Sequence, residues 1–228
     1  MQTVIFDLDG TLADTSGDLI AAANACFRHL GKGDVLDPIE DMETAFNGGR
    51  AMLRLGFSRL DAPWDEAEVD AQFPHLLQYY GENIDVFTKL YDGVERALDQ
   101  LADAGLGLGI CTNKPEGLAE TLLAKLNIRD RFGAMLGADT LTVRKPDPEH
   151  LFETVRRLGG NPAQTALIGD TMTDRKTARA AGVPCVLVTF GPAARDVVAM
   201  EPDALLDHYD DLAKVLAQFN LGSAGKSA

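Results

Sequence analysis

Short apolar runs bounded by turn residues recur along the chain, at Thr3 to Leu8, Leu106 to Cys111, Ala134 to Gly137, Thr165 to Ile168 and Cys185 to Thr189, with a shorter one at Ala204 to Leu206. Helix-like segments lie between them, at Gly93 to Ala104, Pro115 to Leu126, Pro148 to Leu158 and Asp174 to Ala181. A strand buried on both faces reads as a continuous apolar run, and a helix between two such runs brings the chain back to the same edge. The alternation therefore predicts a parallel sheet covered by helices on both sides. The expected fold class is α/β, a doubly wound parallel-sheet, Rossmann-like core. Ligands of such sheets bind beyond the carboxyl ends of the strands, so the polar residues that follow each run are the ones to read.

The first crossover does not fit a simple alternation. About 95 residues separate the first run from Leu106, whereas a strand–helix–strand unit needs only about 30 in all. The intervening segment has helix-like patterns of its own at Leu19 to Leu30, Ile39 to Leu55 and Glu66 to Asn83. We expect a small inserted α-helical cap domain over residues 16–87, placed over the sheet edge, with the core formed by residues 1–15 and 88–221. A decorated crossover packed on the core is the alternative. Asp14 to Gly17 and Phe87 to Asp92 are the expected hinges, and residues 222–228 read as a frayed, flexible tail.

Composition limits the function classes. With 228 residues, 46% hydrophobic and 25% charged, the chain reads as an ordinary globular protein. No apolar run approaches the roughly 20 residues of a membrane span, and the first strand begins too soon after Met1 for a signal peptide, so a cytoplasmic location is expected. Cys26, Cys111 and Cys185 are odd in number and form no Cys-x-x-Cys pair, which reads as buried thiols. His29, His75, His150 and His208 lack paired ligand spacing and read as structural or surface residues. A net charge of −14 speaks against nucleic acid or an anionic membrane as partner. A phosphate ligand would then need a local positive site.

Three strand ends carry the polar residues. Asp7-Leu8-Asp9-Gly10-Thr11 follows the first run. If the strand persists through Asp9, both carboxyl groups point to one side, where they repel unless a cation or proton lies between them. A strand ending in an ordinary Asp-Gly turn is the alternative. The second run ends in Thr112-Asn113-Lys114-Pro115, with Pro115 suited to the first turn of a helix whose amides could bind an anion, or with Thr112 or Asn113 as a mere cap. Lys145-Pro146-Asp147-Pro148 offers a lysine as a point charge for phosphate, Asp147 as a helix cap and Pro148 as a first helical residue. Gly169-Asp170-Thr171-Met172-Thr173-Asp174 adds two carboxylates, of which Asp174 also has capping-box spacing from Thr171. Asp7 and Asp170 together suit a hard cation such as Mg²⁺, with water and phosphate completing the shell.

In this order, the four motifs resemble the haloacid dehalogenase-like hydrolase superfamily over nearly all of residues 1–210. Thr112-Asn113-Lys114-Pro115, Lys145-Pro146-Asp147-Pro148 and Tyr91-Asp92-Gly93-Val94 look most like its phosphoglycolate phosphatase branch. The resemblance implies that Asp7 is a nucleophile that becomes an aspartyl phosphate, and that Asp9 is the general acid and then base. It implies Mg²⁺ held by Asp7, the Asp9 carbonyl and Asp170, with Asp174 nearby or bridging through water. Thr112, the Asn113 backbone amide and Lys145 would bind the phosphoryl oxygens, and the positive site would be Mg²⁺, Lys145 and two helix N-termini. The insert would be a helical cap in which Gly48, Gly49 and Arg50 contact the substrate, Arg50 pairing with a carboxylate. A helix break at the two glycines with Arg50 as a surface charge is the alternative.

The activity so implied is hydrolysis of a small phosphorylated metabolite, with 2-phosphoglycolate as the leading candidate, by a monomer or homodimer. A sugar phosphomutase, a pyrophosphatase or nucleotidase, and a non-catalytic receiver-like phosphoacceptor are the rivals. Asp9 separates the leading reading from a dehalogenase, which lacks the second aspartate, and from a receiver, which needs no acid two residues after its acceptor.

Overall fold

A computed structural model describes residues 1–191 and 196–222; most of the expected tail lies outside the described residues. In chain order the elements are β1 (Thr3–Phe6), β2 (Ala13–Asp14), α1 (Ser16–His29), α2 (Met42–Phe46), α3 (Gly49–Ser58), α4 (Glu66–Glu82), β3 (Lys89–Leu90), α5 (Val94–Asp103), β4 (Gly107–Cys111) and α6 (Glu116–Lys125). There follow β5 (Ala134–Leu136), α7 (Pro148–Arg157), β6 (Thr165–Gly169), α8 (Met172–Ala181), β7 (Cys185–Val188), β8 (Ala204–Leu206) and α9 (Leu212–Ala217). The described residues gather into two compact units, one from Met1–Ala13 together with the chain from Leu90 onward, the other Asp14–Lys89. These bounds lie two residues outside the expected insert at each end.

The larger unit is built on a six-stranded sheet in the order β5-β4-β1-β6-β7-β8. Every strand pair is parallel, with Ile5 opposite Gly109 on one side of β1 and Leu167 on the other. This is the Rossmann-like α/β fold expected from the alternation. Val4, Ile5, Phe6, Ile110, Ala166, Leu167 and Ile168 are all fully buried, which is why these strands read as unbroken apolar runs. The chain moves outward from β1 through β4 to β5, then returns beside β1 with β6 and continues the other way. That reversal puts the carboxyl ends of β1, β4 and β6 around a topological switch point. Three aromatic side chains support the loop after β1: half-buried Tyr91 and Phe190 and fully buried Tyr209 pack in series, with ring centroids 4.9 and 5.4 Å apart, and Tyr209 donates its hydroxyl to the Thr11 carbonyl at 2.8 Å.

The smaller unit is a helical bundle, and one expected helix is divided in it. The segment Ile39 to Leu55 forms α2 and α3 with a break at Gly48, whose φ of 92° is the left-handed conformation that glycine takes without strain. Next to it, a Cβ on Gly49 would lie 2.9 Å from Leu76 in α4, so Gly49 also lets two helices approach. Loop residues are tied by buried polar side chains: Asn24 accepts from the amides of Val35 and Leu36, and Arg59 grips Asp41 through both guanidinium nitrogens at 2.5 and 2.6 Å. Asp18 joins the first helix to the end of the unit, accepting from Phe87 N at 3.0 Å, Thr88 N at 2.9 Å and Thr88 Oγ1 at 2.7 Å. It is 3% exposed. Asp18→Ala should strand these buried donors and lower unfolding free energy by about 2–4 kcal/mol. Urea unfolding checks this, and an unchanged midpoint would show that water replaces the carboxylate at no cost.

Candidate active site

β1 ends at Phe6, so Asp7 and Asp9 stand beyond the strand and strand alternation does not set their directions. The expected symmetry is absent. Asp7 is 9% exposed and meets Lys145 Nζ at 2.9 Å through Oδ2, whereas its Oδ1 accepts from the Leu8 amide at 2.7 Å. Asp9 lies 2.7 Å from Lys114 Nζ instead. Gly10, with φ 78°, turns the chain after Asp9, and Thr11 directs its hydroxyl to Asp170 Oδ1 at 2.8 Å.

β6 delivers Asp170, and the turn into α8 delivers Asp174. Both carboxyls are fully buried. Asp174 Oδ2 accepts from the Thr171 hydroxyl at 2.7 Å and amide at 3.1 Å, which is the capping-box role foreseen for it, while Oδ1 meets Lys145 at 2.6 Å. A Cβ at Gly169 would fall 2.4 Å from Asp174 Cγ, so glycine there makes room for the carboxyl group. Asp7, Asp170 and Asp174 each place one carboxylate oxygen within 4.8 Å of the others.

Burial chiefly, with Asp174 adding and Lys145 opposing, raises the Asp7 carboxyl from an ordinary 3.8 to about 6. Burial and the charges of Asp174 and Asp7 push Asp170 well above the carboxylate range. Burial alone would lower the Lys145 ammonium, but Asp174 and Asp7 outweigh it and carry Lys145 above its usual range. Three carboxyls this close with one lysine between them fit a divalent cation. A second observation agrees: Asp170 Oδ2 is buried with no hydrogen-bond partner among the described residues, a state that costs about 1–3 kcal/mol unless something outside the chain satisfies it.

β4 brings Thr112, 1% exposed, whose hydroxyl accepts from the Lys114 amide at 3.2 Å. Asn113 donates its side-chain amide to the Lys145 carbonyl at 3.0 Å, fastening the lysine-bearing loop to the end of β4. Pro115 is the N-cap of α6 and not its first turn, because its ψ of 137° is extended. The first amide of that helix, Glu116 N, is bonded to Asp139 at 2.8 Å, and that of α7, Glu149 N, to Asp147 at 2.9 Å. Protein carboxylates thus take amides at both helix N-termini that were expected to face the phosphate. The positive charge comes from Lys145 and from Lys114, to which the sequence reading gave no role. His150, fully buried, fits its structural assignment: it lies 2.9 Å from the Gly137 carbonyl and 3.4 Å from Cys111, and burial holds its imidazole below the ordinary range. All three cysteines are buried as expected.

Gly48, Gly49 and Arg50 belong to the helical unit. Arg50 forms an ion pair with Asp70 and stacks on Phe73 at 4.3 Å, so it has local partners there. The helix break and the packing on α4 account for both glycines.

The sequence profile described as Haloacid dehalogenase-like hydrolase matches residues 4–188. The chain belongs to this family. Among its relatives, a phosphoglycolate phosphatase of Mesorhizobium japonicum is 38% identical over 227 residues, covering 97% of both chains. One from Agrobacterium fabrum is 35% identical over 98% of this chain and 95% of its own. The crystal structure of a predicted phosphoglycolate phosphatase from Haemophilus somnus superposes with a TM-score of 0.85 at 26% identity, covering 94% of this chain and 97% of that one. The protein is therefore a hydrolase of the phosphatase type. Among the described residues no helix is long and apolar enough to cross a membrane.

Proposed function

We propose that this phosphatase is Mg²⁺-dependent and hydrolyses a small phosphate monoester, 2-phosphoglycolate being the leading candidate, through an aspartyl phosphate on Asp7. One observation carries the reading: Asp7 and Asp170 lie together at adjacent strand ends with Lys145 against Asp7, and one oxygen of Asp170 is buried without a partner among the described residues. Asp7, the Asp9 carbonyl and Asp170 would hold the cation, which would neutralise carboxylate and phosphoryl charge. In the first half-reaction an Asp7 oxygen bonds to phosphorus, the ester P–O bond breaks and Asp9 gives its proton to the departing oxygen. In the second, water attacks phosphorus, Asp9 takes the water proton, and inorganic phosphate leaves Asp7 free. Lys145 keeps Asp7 ionised and, with Thr112 and Asn113, is assigned to the phosphoryl oxygens. The substrate assignment rests on the similarity to phosphoglycolate phosphatases.

A steady-state panel of small phosphate esters, with and without Mg²⁺, tests this. We expect kcat/KM to rank 2-phosphoglycolate first, phosphate to be released in bulk, and chelation to stop turnover. Stoichiometric labelling without turnover would indicate a phosphoacceptor, and isomerised product without free phosphate a phosphomutase. Mg²⁺ at roughly 100 times its Kd should also stabilise the fold by about 2.7 kcal/mol, an effect that Asp170→Asn should largely remove.

A further inference from the structure

The two aspartates of the opening motif each have a lysine of their own. Lys145 takes Asp7, and Lys114 takes Asp9, with Nζ to Oδ1 at 2.7 Å. Lys114 is not a solvated surface charge: its side chain is 4% exposed and that of Asp9 20%. Its backbone is fixed from both sides, its amide donating to Thr112 Oγ1 at 3.2 Å and its carbonyl accepting from Ala138 N at 2.9 Å. Pro115 then forces an extended turn into α6. A long flexible side chain anchored this way and almost wholly buried delivers its ammonium to one place. The carboxylate cluster that suits a cation comprises Asp7, Asp170 and Asp174 and does not include Asp9.

We propose that Lys114 is the positioning residue of Asp9, holding its carboxyl apart from the cation-binding cluster and compensating the negative charge that Asp9 acquires when it protonates the leaving oxygen. This rests on the assignment of Asp9 as general acid. As the Asp7–phosphorus bond forms and the ester bond breaks, the Asp9 proton passes to the ester oxygen. The carboxylate left behind faces the Lys114 ammonium, and in that form it later receives the proton of the attacking water. Burial of a lysine against a carboxylate is by itself a poor way to gain stability, because desolvation offsets much of the attraction.

The leaving group provides the test. An aryl phosphate such as p-nitrophenyl phosphate needs little acid assistance, whereas an alkyl phosphate needs it fully, and kcat/KM reports only as far as the first irreversible step. Lys114→Met should lower kcat/KM for 2-phosphoglycolate and for propyl phosphate alike, by roughly 10²-fold, the size of a general-acid contribution, and far less for p-nitrophenyl phosphate. In an Asp9→Asn background, adding Lys114→Met should cost nothing further on propyl phosphate. This double variant removes both charges together, so it remains informative if the single lysine variant folds poorly. Equal losses on all three esters, or additive losses in the double variant, would overturn the proposal. A loss confined to 2-phosphoglycolate would also overturn it, by making Lys114 a contact for the substrate carboxylate. If the wild-type protein hydrolyses none of the esters, the phosphatase reading fails first, and the two failures are thereby distinguished.

Discussion

Asp7→Asn should abolish ester hydrolysis, with a loss of roughly 10⁴-fold or more in kcat, the scale at which removal of an essential nucleophile leaves only binding and electrostatic assistance. The same substitution should make the metal-free protein more stable at neutral pH. Buried beside Asp174, the Asp7 carboxyl is raised from 3.8 to about 6, so between those values the folded chain holds more protons than the unfolded one. Stability from this group is complete below about pH 3.8 and is lost as pH rises through about 6. Asparagine has no charge to bury. Relative to the wild type, the variant should therefore gain on the order of 1–3 kcal/mol as pH goes from 4 to 7 in the presence of a chelator. Urea unfolding at several pH values measures this. Added Mg²⁺ should erase the difference by stabilising the wild type alone. Full activity in the variant would remove the nucleophile assignment, and a pH-independent difference in stability would remove the argument from burial.

Asp7, Thr112 and Asp170 were legible in the sequence because each follows an apolar run that can be little else than a central strand. Lys145 was legible through its place in the order of motifs. Lys114 is nearly as buried as Lys145 and stands two residues after Thr112, yet nothing local marks it. Its partner is 105 residues away, and a lysine next to a proline carries no periodicity. Asp18 was hidden for the same reason, being part of an ordinary helical pattern while its donors lie 70 residues on. At the two helix N-termini, Asp139 and Asp147 each accept the first amide. Asp147 is recognisable as a cap from Pro148, whereas Asp139 lies 23 residues from the amide it accepts and carries no local signal. The single helix expected over Ile39 to Leu55 failed at Gly48, where a left-handed backbone outweighs helical periodicity.

Lys145→Met is expected to be the most destabilising single change in the site. The lysine side chain is 1% exposed and bridges Asp7 and Asp174, at 12% and 0% exposure. Asp174 satisfies its other oxygen through Thr171, but Oδ1 would lose its cation and Asp7 would lose the ammonium on Oδ2. Breaking a buried ion pair from one side costs about 3–5 kcal/mol, since an uncompensated buried charge remains. Methionine fills most of the volume, which separates this electrostatic cost from that of a cavity. The loss should shrink at acid pH, where protonation of the Asp7 carboxyl, raised to about 6 by burial, removes part of the charge that lysine had matched. Mg²⁺ should restore part of it by drawing on Asp7. Activity is expected to stay lost after stability is restored, for example in Lys145→Met combined with Asp174→Asn, which leaves Thr171 an acceptor but deletes the second stranded charge. If that double variant regains turnover together with stability, Lys145 is a structural bridge between two carboxylates. If it regains stability alone, the ammonium acts on the phosphoryl group itself, and the burial of the lysine serves to keep a fixed positive charge beside the nucleophile.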